Sequence, residues 1–326
     1  RTEIPMEPDH FKKLSLFCNV PEEYVVEELD VQNSIYEVPL ELARQELDVK
    51  TLDLLRLDRR TLDLADYLAW LDGVLHPTRE CTIAVVGKYI KHQDAYKSIY
   101  EALNHAGIAN NAKIRFLKVE AEELEKGDPA LILKEADGIL VPGGFGGRGV
   151  PGKVRAVEYA RTRKIPFLGI CLGMQCAVIE FARNVLGWQD ANSTEFDPDT
   201  AHAVIDLMAG QRNVTEKGGT MRLGSYPCRF RPGSRSAELY GVSETGERHR
   251  HRYEFNPAFR ARLAEAGLAA TGTSPDDRLV EVVELEADHP YFIGCQFHPE
   301  FKSRPRKAHP LFNGLVAAAL QHQEGR

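Results

Sequence analysis

The sequence predicts an α/β fold, a mainly parallel central sheet flanked by helices. Between residues 82 and 185, short apolar runs alternate with amphipathic helical patterns, as happens when helices connect parallel strands and cover both faces of a sheet. Beyond residue 192 the patterns become hairpin-like. The region from residue 80 onward has the size of one domain.

The region before residue 80 has a different pattern. We expect residues 13–20, KLSLFCNV, to form a buried strand that leads into a helix at Pro21. Two helical patterns follow, SIYEVPLELARQEL and TLDLADYLAWLDGVLHP, and Thr61 is the expected N-cap of the second. Pro77 and a polar stretch then separate this piece from the α/β region.

The α/β region itself contains four predicted strands followed by hairpin segments. The strands are TIAVVGKY, KIRFLKVEA, GILVPGG and PFLGI, with helices between them that include 95–106 and 154–163. A further helix follows PFLGI and continues to Val185. The hairpin segments are HAVIDL, TMRLGSYPCRF, LVEVVELE and YFIGCQFHPEF.

Composition excludes several classes of protein. The net charge of the 326 residues is -7, without long runs of one sign, which argues against a general nucleic-acid-binding protein. No apolar segment approaches the roughly 20 residues of a membrane span, and no signal-peptide pattern opens the sequence. The six cysteines form no CxxC pair, so we expect reduced thiols in a cytoplasmic protein. Because the sequence begins at Arg1 within a polar segment, we expect it to be part of a longer polypeptide.

Cys171 lies between two glycines, in PFLGICLGMQCAVIEFA, where an apolar strand turns into a helix. At such a corner a side chain projects over the edge of the sheet, as in the Gly-x-Ser-x-Gly nucleophile elbow, and the helix N-terminus favours a thiolate. A small buried core residue is the alternative, and the motif alone leaves both readings open. Cys176, which has apolar neighbours, is expected in the core.

Two further motifs could complete a site around this thiol. In CQFHPEF, His298 and Glu300 are two residues apart, so on an extended segment the carboxylate could orient the imidazole; a surface turn is the alternative. VPGGFGGRGVPG, residues 141–152, follows another apolar strand. Its glycines could direct N–H groups at a developing negative charge, or cradle a phosphate, although neither usual phosphate-loop spacing occurs.

The order of the three motifs, glycine loop, cysteine elbow and His-x-Glu, resembles that of the class I glutamine amidotransferases. Further segments resemble the CTP synthase family: VGKY, DAYKSIYEAL, DANSTEF, HRHRYE, LFCNV and DVQNSIYEVPL. The resemblance implies the C-terminal segment of a synthetase (amidoligase) domain at 1–58, a short α/β remnant. It also implies a linker helix at 59–79 and a class I glutamine amidotransferase domain at 80–326.

The resemblance also implies roles for single residues. Cys171 is then the nucleophile, His298 its base and later its acid, and Glu300 the residue that orients His298. The other implied residues are an oxyanion hole (Gly144, Leu172), a glutamine pocket (Gly144, Leu172, Gly173, Met174, Gln175, Glu195, Arg252), a GTP-responsive lid (Arg148, Gly149) and nucleotide contacts (Lys13, Asp30, Val31). Gly147 departs from the family at the lid, where some relatives have tyrosine.

For the complete enzyme, the resemblance implies ATP-driven amination of UTP to CTP with Mg²⁺, GTP as allosteric activator, and a homotetramer. This chain would supply the hydrolysis of L-glutamine to glutamate and ammonia through a Cys171 thioester. No covalent cofactor, no metal in this chain, and no nucleic-acid or membrane partner are expected. Another class I amidotransferase or glutaminase is one alternative, and a non-catalytic assembly module is a second. The first would share the catalytic motifs but not the N-terminal segments.

Overall fold

The computed structural model describes residues 1–207 and 221–325, which form two compact units, Arg1–Pro77 and Thr78–Arg326. The first unit is helical, and the only pairing between extended residues described in it is an isolated bridge from Thr2 to Leu29. Its helices are α1 (Pro8–Cys18), α2 (Val38–Arg44), α3 (Leu47–Leu54) and α4 (Ala65–Leu75), with single 3-10 turns at Glu22–Tyr24 and Ile35–Glu37.

The buried strand predicted at residues 13–20 is wrong, because that stretch lies mostly within α1. Helix α1 has a proline in its first turn, ends at the left-handed Asn19 (φ 53°) and buries none of its residues. Pro21 begins only a single 3-10 turn. Thr61 is not an N-cap either: α4 begins four residues later, where the Asp63 side chain accepts a hydrogen bond from Ala65 N–H at 2.9 Å.

The second unit contains the predicted sheet. Its strands are β1 (Arg79–Gly87), β2 (Ala112–Glu120), β3 (Gly138–Val141), β4 (Phe167–Ile170), β5 (Asn192–Ser193), β6 (Ala203–Leu207), β7 (Arg222–Phe230), β8 (Glu244–His251), β9 (Tyr253–Phe255), β10 (Leu268–Thr273), β11 (Val280–Leu285) and β12 (Phe292–Cys295). Its helices are α5 (Lys97–Ala109), α6 (Ala121–Lys126), α7 (Pro129–Ile132), α8 (Val150–Arg163), α9 (Leu172–Asn184), α10 (Arg235–Tyr240), α11 (Arg260–Glu265) and α12 (Pro310–Glu324).

The strand order of the large sheet is β2-β1-β3-β4-β12-β11-β10-β7-β8. The first five strands are parallel, and β11, β10, β7 and β8 continue the sheet in antiparallel fashion. The α/β prediction is therefore confirmed. Two of the hairpin-like segments form β7 and β11 of the antiparallel half, whereas HAVIDL forms β6, outside this sheet, and YFIGCQFHPEF contains β12, which is parallel to β4. A second sheet consists of β5, β6 and β9. No helix within the described residues is long and apolar enough to cross a membrane.

Side chains of the central strands pack on both faces of the sheet. Along β1, Ala84 and Val86 belong to one apolar cluster, with residues of α8 and α9, while Ile83 and Val85 belong to the other, with residues of α5 and α12. Strands β3, β4 and β12 are buried along their whole length. These three strands are parallel neighbours, so their carboxyl ends meet at one edge, which is where ligands bind in open α/β sheets.

Candidate active site

Cys171 lies at the turn between β4 and α9 in a strained conformation. Its φ is 52° and its ψ is -104°, values that a non-glycine residue rarely adopts and that cluster at functional sites. The thiol residue is 4% exposed, and its N–H donates to the carbonyl of Cys295 on β12 at 2.7 Å. Because it is the N-cap of α9, the next N–H groups, beginning with Leu172, have no acceptor inside the helix.

The glycines on either side of this turn are required by close backbone packing. A methyl group on Gly173 would lie 2.0 Å from the carbonyl oxygen of Val141, and one on Gly169 would lie 2.6 Å from the carbonyl oxygen of Gly173. Any side chain at either position would therefore move α9 away from β3 and β4. The Gly-x-Cys-x-Gly pattern thus has a steric cause, and Cys171, unlike Cys176 in the core of α9, faces the edge of the sheet.

His298 reaches the same point from the adjacent strand. It follows β12, which pairs with β4 so that Cys295 lies opposite Ile170. A methyl group on Gly143 would lie 2.9 Å from His298 Cε1 and 3.4 Å from Cys171 Cβ. The imidazole and the thiol residue therefore flank one glycine of the loop that follows β3.

Glu300 holds the His298 ring by a hydrogen bond. The distance between His298 Nδ1 and Glu300 Oε1 is 2.8 Å, and both side chains are largely buried. They meet at a 3-10 turn, Pro299–Phe301, and the expected extended segment is wrong: the turn brings the carboxylate back to the ring. With Nδ1 bound to Glu300, Nε2 remains as the nitrogen for the thiol.

The charge state of His298 follows from the same neighbours. Burial lowers the pKa of His298, but Cys171 and Glu300 raise it more strongly, and the resulting pKa is about 10. A protonated imidazole beside a sulfur atom favours the thiolate, which is the nucleophilic form of cysteine. The arrangement can therefore supply a thiolate nucleophile and a proton donor.

The glycine loop after β3 places Gly144 beside Leu172. A methyl group on Gly144 would lie 3.5 Å from Leu172 Cδ2, so the two residues expected to form an oxyanion hole are neighbours. Two buried lysines hold the loop: Lys153 Nζ donates to the carbonyl of Pro142 at 3.3 Å, and Lys88 Nζ donates to the carbonyl of Phe145. The sequence did not predict that either lysine would be buried, because lysine is usually exposed. A cavity of about 310 Å³ lies over Gly143, Gly144, His298 and Glu300.

Glu195 and Arg252 both act on the hydroxyl of Tyr253. Burial raises the pKa of Tyr253, Glu195 raises it further, and Arg252 lowers it, so each of the two charged side chains is within electrostatic reach of this hydroxyl. Glu195 Oε1 accepts the Gly146 N–H at 2.8 Å, and burial raises the pKa of this carboxyl group. An anionic and a cationic side chain in this arrangement could bind the ammonium and carboxylate groups of an amino acid.

A line of amide side chains runs from this region to the thiol. Gln175 Nε2 donates to the carbonyl of Tyr253 at 3.1 Å and lies 3.2 Å from Gln296 Oε1. Gln296 Nε2 lies 3.6 Å from Cys171 Sγ. Gln296 was missed, although it stands two residues before His298, which was a signal in the sequence. Met174, by contrast, is buried against Gly294 of β12, so only its backbone and that of Gly173 could face a ligand.

The residues expected to form a lid, Arg148 and Gly149, lie at the start of α8. Arg148 donates to the carbonyl of Lys88 at 2.9 Å and to Glu122 at 3.1 Å, and its guanidinium lies over the Tyr89 ring. Gly149 has a φ of 75° and is the N-cap of α8. Glycine adopts a positive φ without steric strain, which explains why this residue is at position 149.

The segment HRHRYE comprises the end of β8 and the start of β9. His249 and His251 are buried and joined by a 2.8 Å hydrogen bond between their rings. Burial, and then the charge of Arg222, lowers the pKa of His249 to about 2 and that of His251 to about 3. Arg222 is in turn bound to Glu281 at 2.7 Å. Two neutral histidines thus support the end of β8, directly before Arg252.

The three residues expected to contact a nucleotide belong to the first unit. Lys13 is exposed on α1, and Asp30 and Val31 follow the isolated bridge. Asp30 accepts hydrogen bonds from Arg1 at 2.8 and 2.9 Å.

Comparison with known proteins identifies the family. The family model "Glutamine amidotransferase class-I" matches residues 91–318, and "CTP synthase N-terminus" matches residues 1–57. The glutaminase domain of Trypanosoma brucei CTPS, solved with bound acivicin, is 41% identical, with a TM-score of 0.69 over 74% of this chain and 94% of that domain. The chain belongs to the class I glutamine amidotransferases, and among them to the CTP synthases.

Curated CTP synthases match this class I amidotransferase along nearly all of its sequence. The enzyme of Fibrobacter succinogenes is 60% identical over 99% of this chain, and that of Caldanaerobacter subterraneus subsp. tengcongensis is 53% identical over 98%. The chain spans 57% and 59% of the lengths of these two relatives. The similarity to these relatives extends to the N-terminal segments of this chain, which a free-standing amidotransferase would lack.

Proposed function

We propose that this chain hydrolyses L-glutamine to glutamate and ammonia through a γ-glutamyl thioester on Cys171. One observation carries the proposal. Cys171, on a strained turn, and the His298 imidazole both lie next to Gly143, and the imidazole is also hydrogen-bonded to Glu300 at 2.8 Å. A nucleophile, a base and a residue that orients the base are the components of covalent acyl transfer.

The reaction follows from the positions of these groups. The Cys171 thiolate attacks the side-chain carboxamide of glutamine, and the N–H groups of Gly144 and Leu172 bind the oxyanion of the tetrahedral intermediate. His298 gives its proton to the departing ammonia, and the γ-glutamyl thioester remains on Cys171. The neutral imidazole then takes a proton from water, which attacks the thioester and releases glutamate. Glu300 keeps the ring in one orientation throughout.

Glutamine would be bound at its other end by charged side chains. Glu195 binds the α-ammonium group and Arg252 the α-carboxylate, a proposal supported by their opposite charges and by the hydrogen bond that joins Glu195 to Gly146 of the glycine loop. Gln175 lies beneath them. The name of the T. brucei relative, a glutaminase domain, supports the choice of glutamine. Arg148 and Gly149 would form a lid over this pocket.

For the complete protein we propose the synthesis of CTP from UTP, driven by ATP with Mg²⁺ and activated by GTP, in a cytoplasmic homotetramer. The support is the identity to CTP synthases and the match of residues 1–57 to their N-terminal family. Within this division, 1–58 belongs to the synthetase domain, 59–79 is the linker and 80–326 is the amidotransferase domain. Lys13, Asp30 and Val31 would contact nucleotides. The described residues contain no cluster of three His, Cys, Asp or Glu side chains suited to a metal ion.

Substitution of the two cysteines at the elbow tests the hydrolysis. Cys171→Ala should abolish the release of glutamate, whereas Cys176→Ala, which changes a buried core residue of the same helix, should keep activity within about threefold. Thermal unfolding should show that both variants are folded. Near-normal hydrolysis by folded Cys171→Ala would refute the proposal. In the complete protein, Cys171→Ala should still form CTP from free ammonia, because that route needs no thioester.

A further inference from the structure

Lys153 is a fully buried lysine in the first turn of α8. Its relative exposure is 0%, and its Nζ donates to the carbonyl oxygen of Pro142 at 3.3 Å. Burial of an ammonium group is costly unless the group is well paired, and here the hydrogen-bond acceptor is a backbone carbonyl. The burial of Lys153 is therefore expected to serve a function that offsets its energetic cost.

The carbonyl that Lys153 binds begins the segment 142–145 of the glycine loop. Lys88 binds the carbonyl of Phe145 at the other end, so buried lysines hold the segment on both sides. A methyl group on Gly144, between the two ends, would lie 3.6 Å from Lys153 Nζ and 3.6 Å from Lys88 Cε. Both side chains therefore pack directly against Gly144.

The peptide group that the proposed reaction needs lies between these two anchored carbonyls. The N–H of Gly144 belongs to the peptide that joins Gly143 to Gly144, and neither residue has a side chain to limit its rotation. His298 and Cys171 lie on the other side of Gly143. Rotation of this peptide would change the direction of the Gly144 N–H, so the proposed oxyanion hole requires a loop that is held on both sides of this peptide.

We propose that Lys153 is a positioning residue for glutamine hydrolysis, which keeps the Gly144 N–H directed at the oxyanion by holding the Pro142 carbonyl. This role rests on the proposed function, since the oxyanion forms only if Cys171 attacks the carboxamide. The charge of the amine supports the role. Burial lowers the pKa of Lys153 to about 8, with the two nearby cysteines acting in the opposite direction, so most of the amine is protonated at neutral pH.

Kinetics of Lys153→Met in the 326-residue chain test the proposal. Methionine has a similar shape but cannot donate to Pro142. Loss of an oxyanion donor costs about 10²- to 10³-fold in kcat, so displacement of one should lower kcat by about 10- to 100-fold. KM should stay within about twofold, because the interaction matters only in the transition state. Lys164→Met, at an exposed position at the end of the same helix, is the matched control and should leave kcat unchanged.

A second measurement does not depend on activity. In chain labelled with ¹⁵N-glycine, Lys153→Met should shift or broaden the amide resonances of Gly143 and Gly144 and leave those of Gly73 and Gly187 unchanged. If the wild-type chain hydrolyses no glutamine, the proposed function fails, but these resonances still decide whether Lys153 positions the loop. Unchanged Gly143 and Gly144 resonances, or an unchanged kcat, would overturn the proposal.

Folding of the variants also bears on the proposal. Lys153→Gln, which keeps a polar side chain but is too short to hold the carbonyl, should show the same kcat loss as Lys153→Met. If neither variant folds, Lys153 has a structural role and the positioning proposal is wrong.

Discussion

The hydrogen bond between Glu300 and His298 predicts the size of the effect of Glu300→Gln. This bond is 2.8 Å long, and its partners are only 7% and 12% exposed, so water screens it little. Charge-assisted hydrogen bonds of this kind contribute about 1.5–3 kcal/mol. If this energy supports the imidazolium in the transition state, Glu300→Gln should lower kcat by about 10- to 150-fold.

The surroundings of the second carboxylate oxygen, Glu300 Oε2, should increase the loss of stability or of activity in Glu300→Gln. Glu300 Oε2 is buried and has no hydrogen-bond partner within the described residues. If the amide oxygen of the variant accepts the proton of Nδ1, its NH₂ group takes this position and lacks an acceptor, which costs about 1–3 kcal/mol of stability. If the amide is flipped, the NH₂ group faces Nδ1 and places the ring proton on Nε2. The imidazole then presents a proton to the thiol, an arrangement that costs up to about 10⁴-fold in a related triad.

Glutamate release between about pH 6 and 9 would measure this effect. Because Glu300 helps to raise the pKa of His298, the profile of Glu300→Gln should also lose activity at a lower alkaline pH than that of the wild type. His298→Ala should cost more, about 10⁴- to 10⁶-fold, because it removes the proton carrier itself. Glu265→Gln, on the exposed face of α11, is the control. If Glu300→Gln matches the wild type at every pH while His298→Ala is inactive, the site is a dyad and the reasoning fails.

Three further predictions concern packing, acid stability and substrate binding. Gly173→Ala, whose methyl group would meet a backbone oxygen at 2.0 Å, should lower the free energy of unfolding by about 1–3 kcal/mol or more in urea titrations and reduce hydrolysis. Gly73→Ala, a helical site with open space, should instead be neutral or stabilising. Burial lowers the pKa of His249 to about 2, so below about pH 6.5 this residue binds a proton in the unfolded chain but not in the folded one. Its contribution to stability therefore falls as pH falls from 7 to 5, and urea titrations should show that His249→Gln loses less stability than the wild type over this range. Glu195→Gln should raise KM for glutamine roughly 10-fold or more with a smaller change in kcat, and an unchanged KM would contradict its role.

Much of the parallel half of the fold could be predicted because its strands are apolar on both faces. Strands β3 and β4 are four buried residues each, bounded by glycine or proline, and leave little ambiguity. The predicted starts of helices were less accurate. Helix α8 begins at Val150 and not at Val154, because Gly149 at positive φ is its N-cap and a proline occupies its first turn. For α1 the pattern failed, since a short apolar run suits a helix or a strand equally well.

The site residues divide in a similar way. Local motifs identified Cys171, His298 and Glu300, because each depends on residues adjacent in sequence. Lys153 could not be identified, because its burial depends on how α8 packs against the glycine loop before it, which the sequence pattern does not show. For His249 a signal was present: HRHR alternates with a period of two, the period of a strand with one buried face, and β8 does bury alternate residues.

The place of β12 in the sheet has a consequence for folding. This strand is the last of the twelve along the chain, yet it lies between β4 and β11 and joins the parallel half of the sheet to the antiparallel half. During synthesis, β1 to β4 can pair as they emerge, but the two halves can join only after residue 295 has been made. Pairings between residues so distant in sequence are closed slowly. The nascent domain therefore acquires its imidazole late, and Cys171 stays without a base until the sheet is complete.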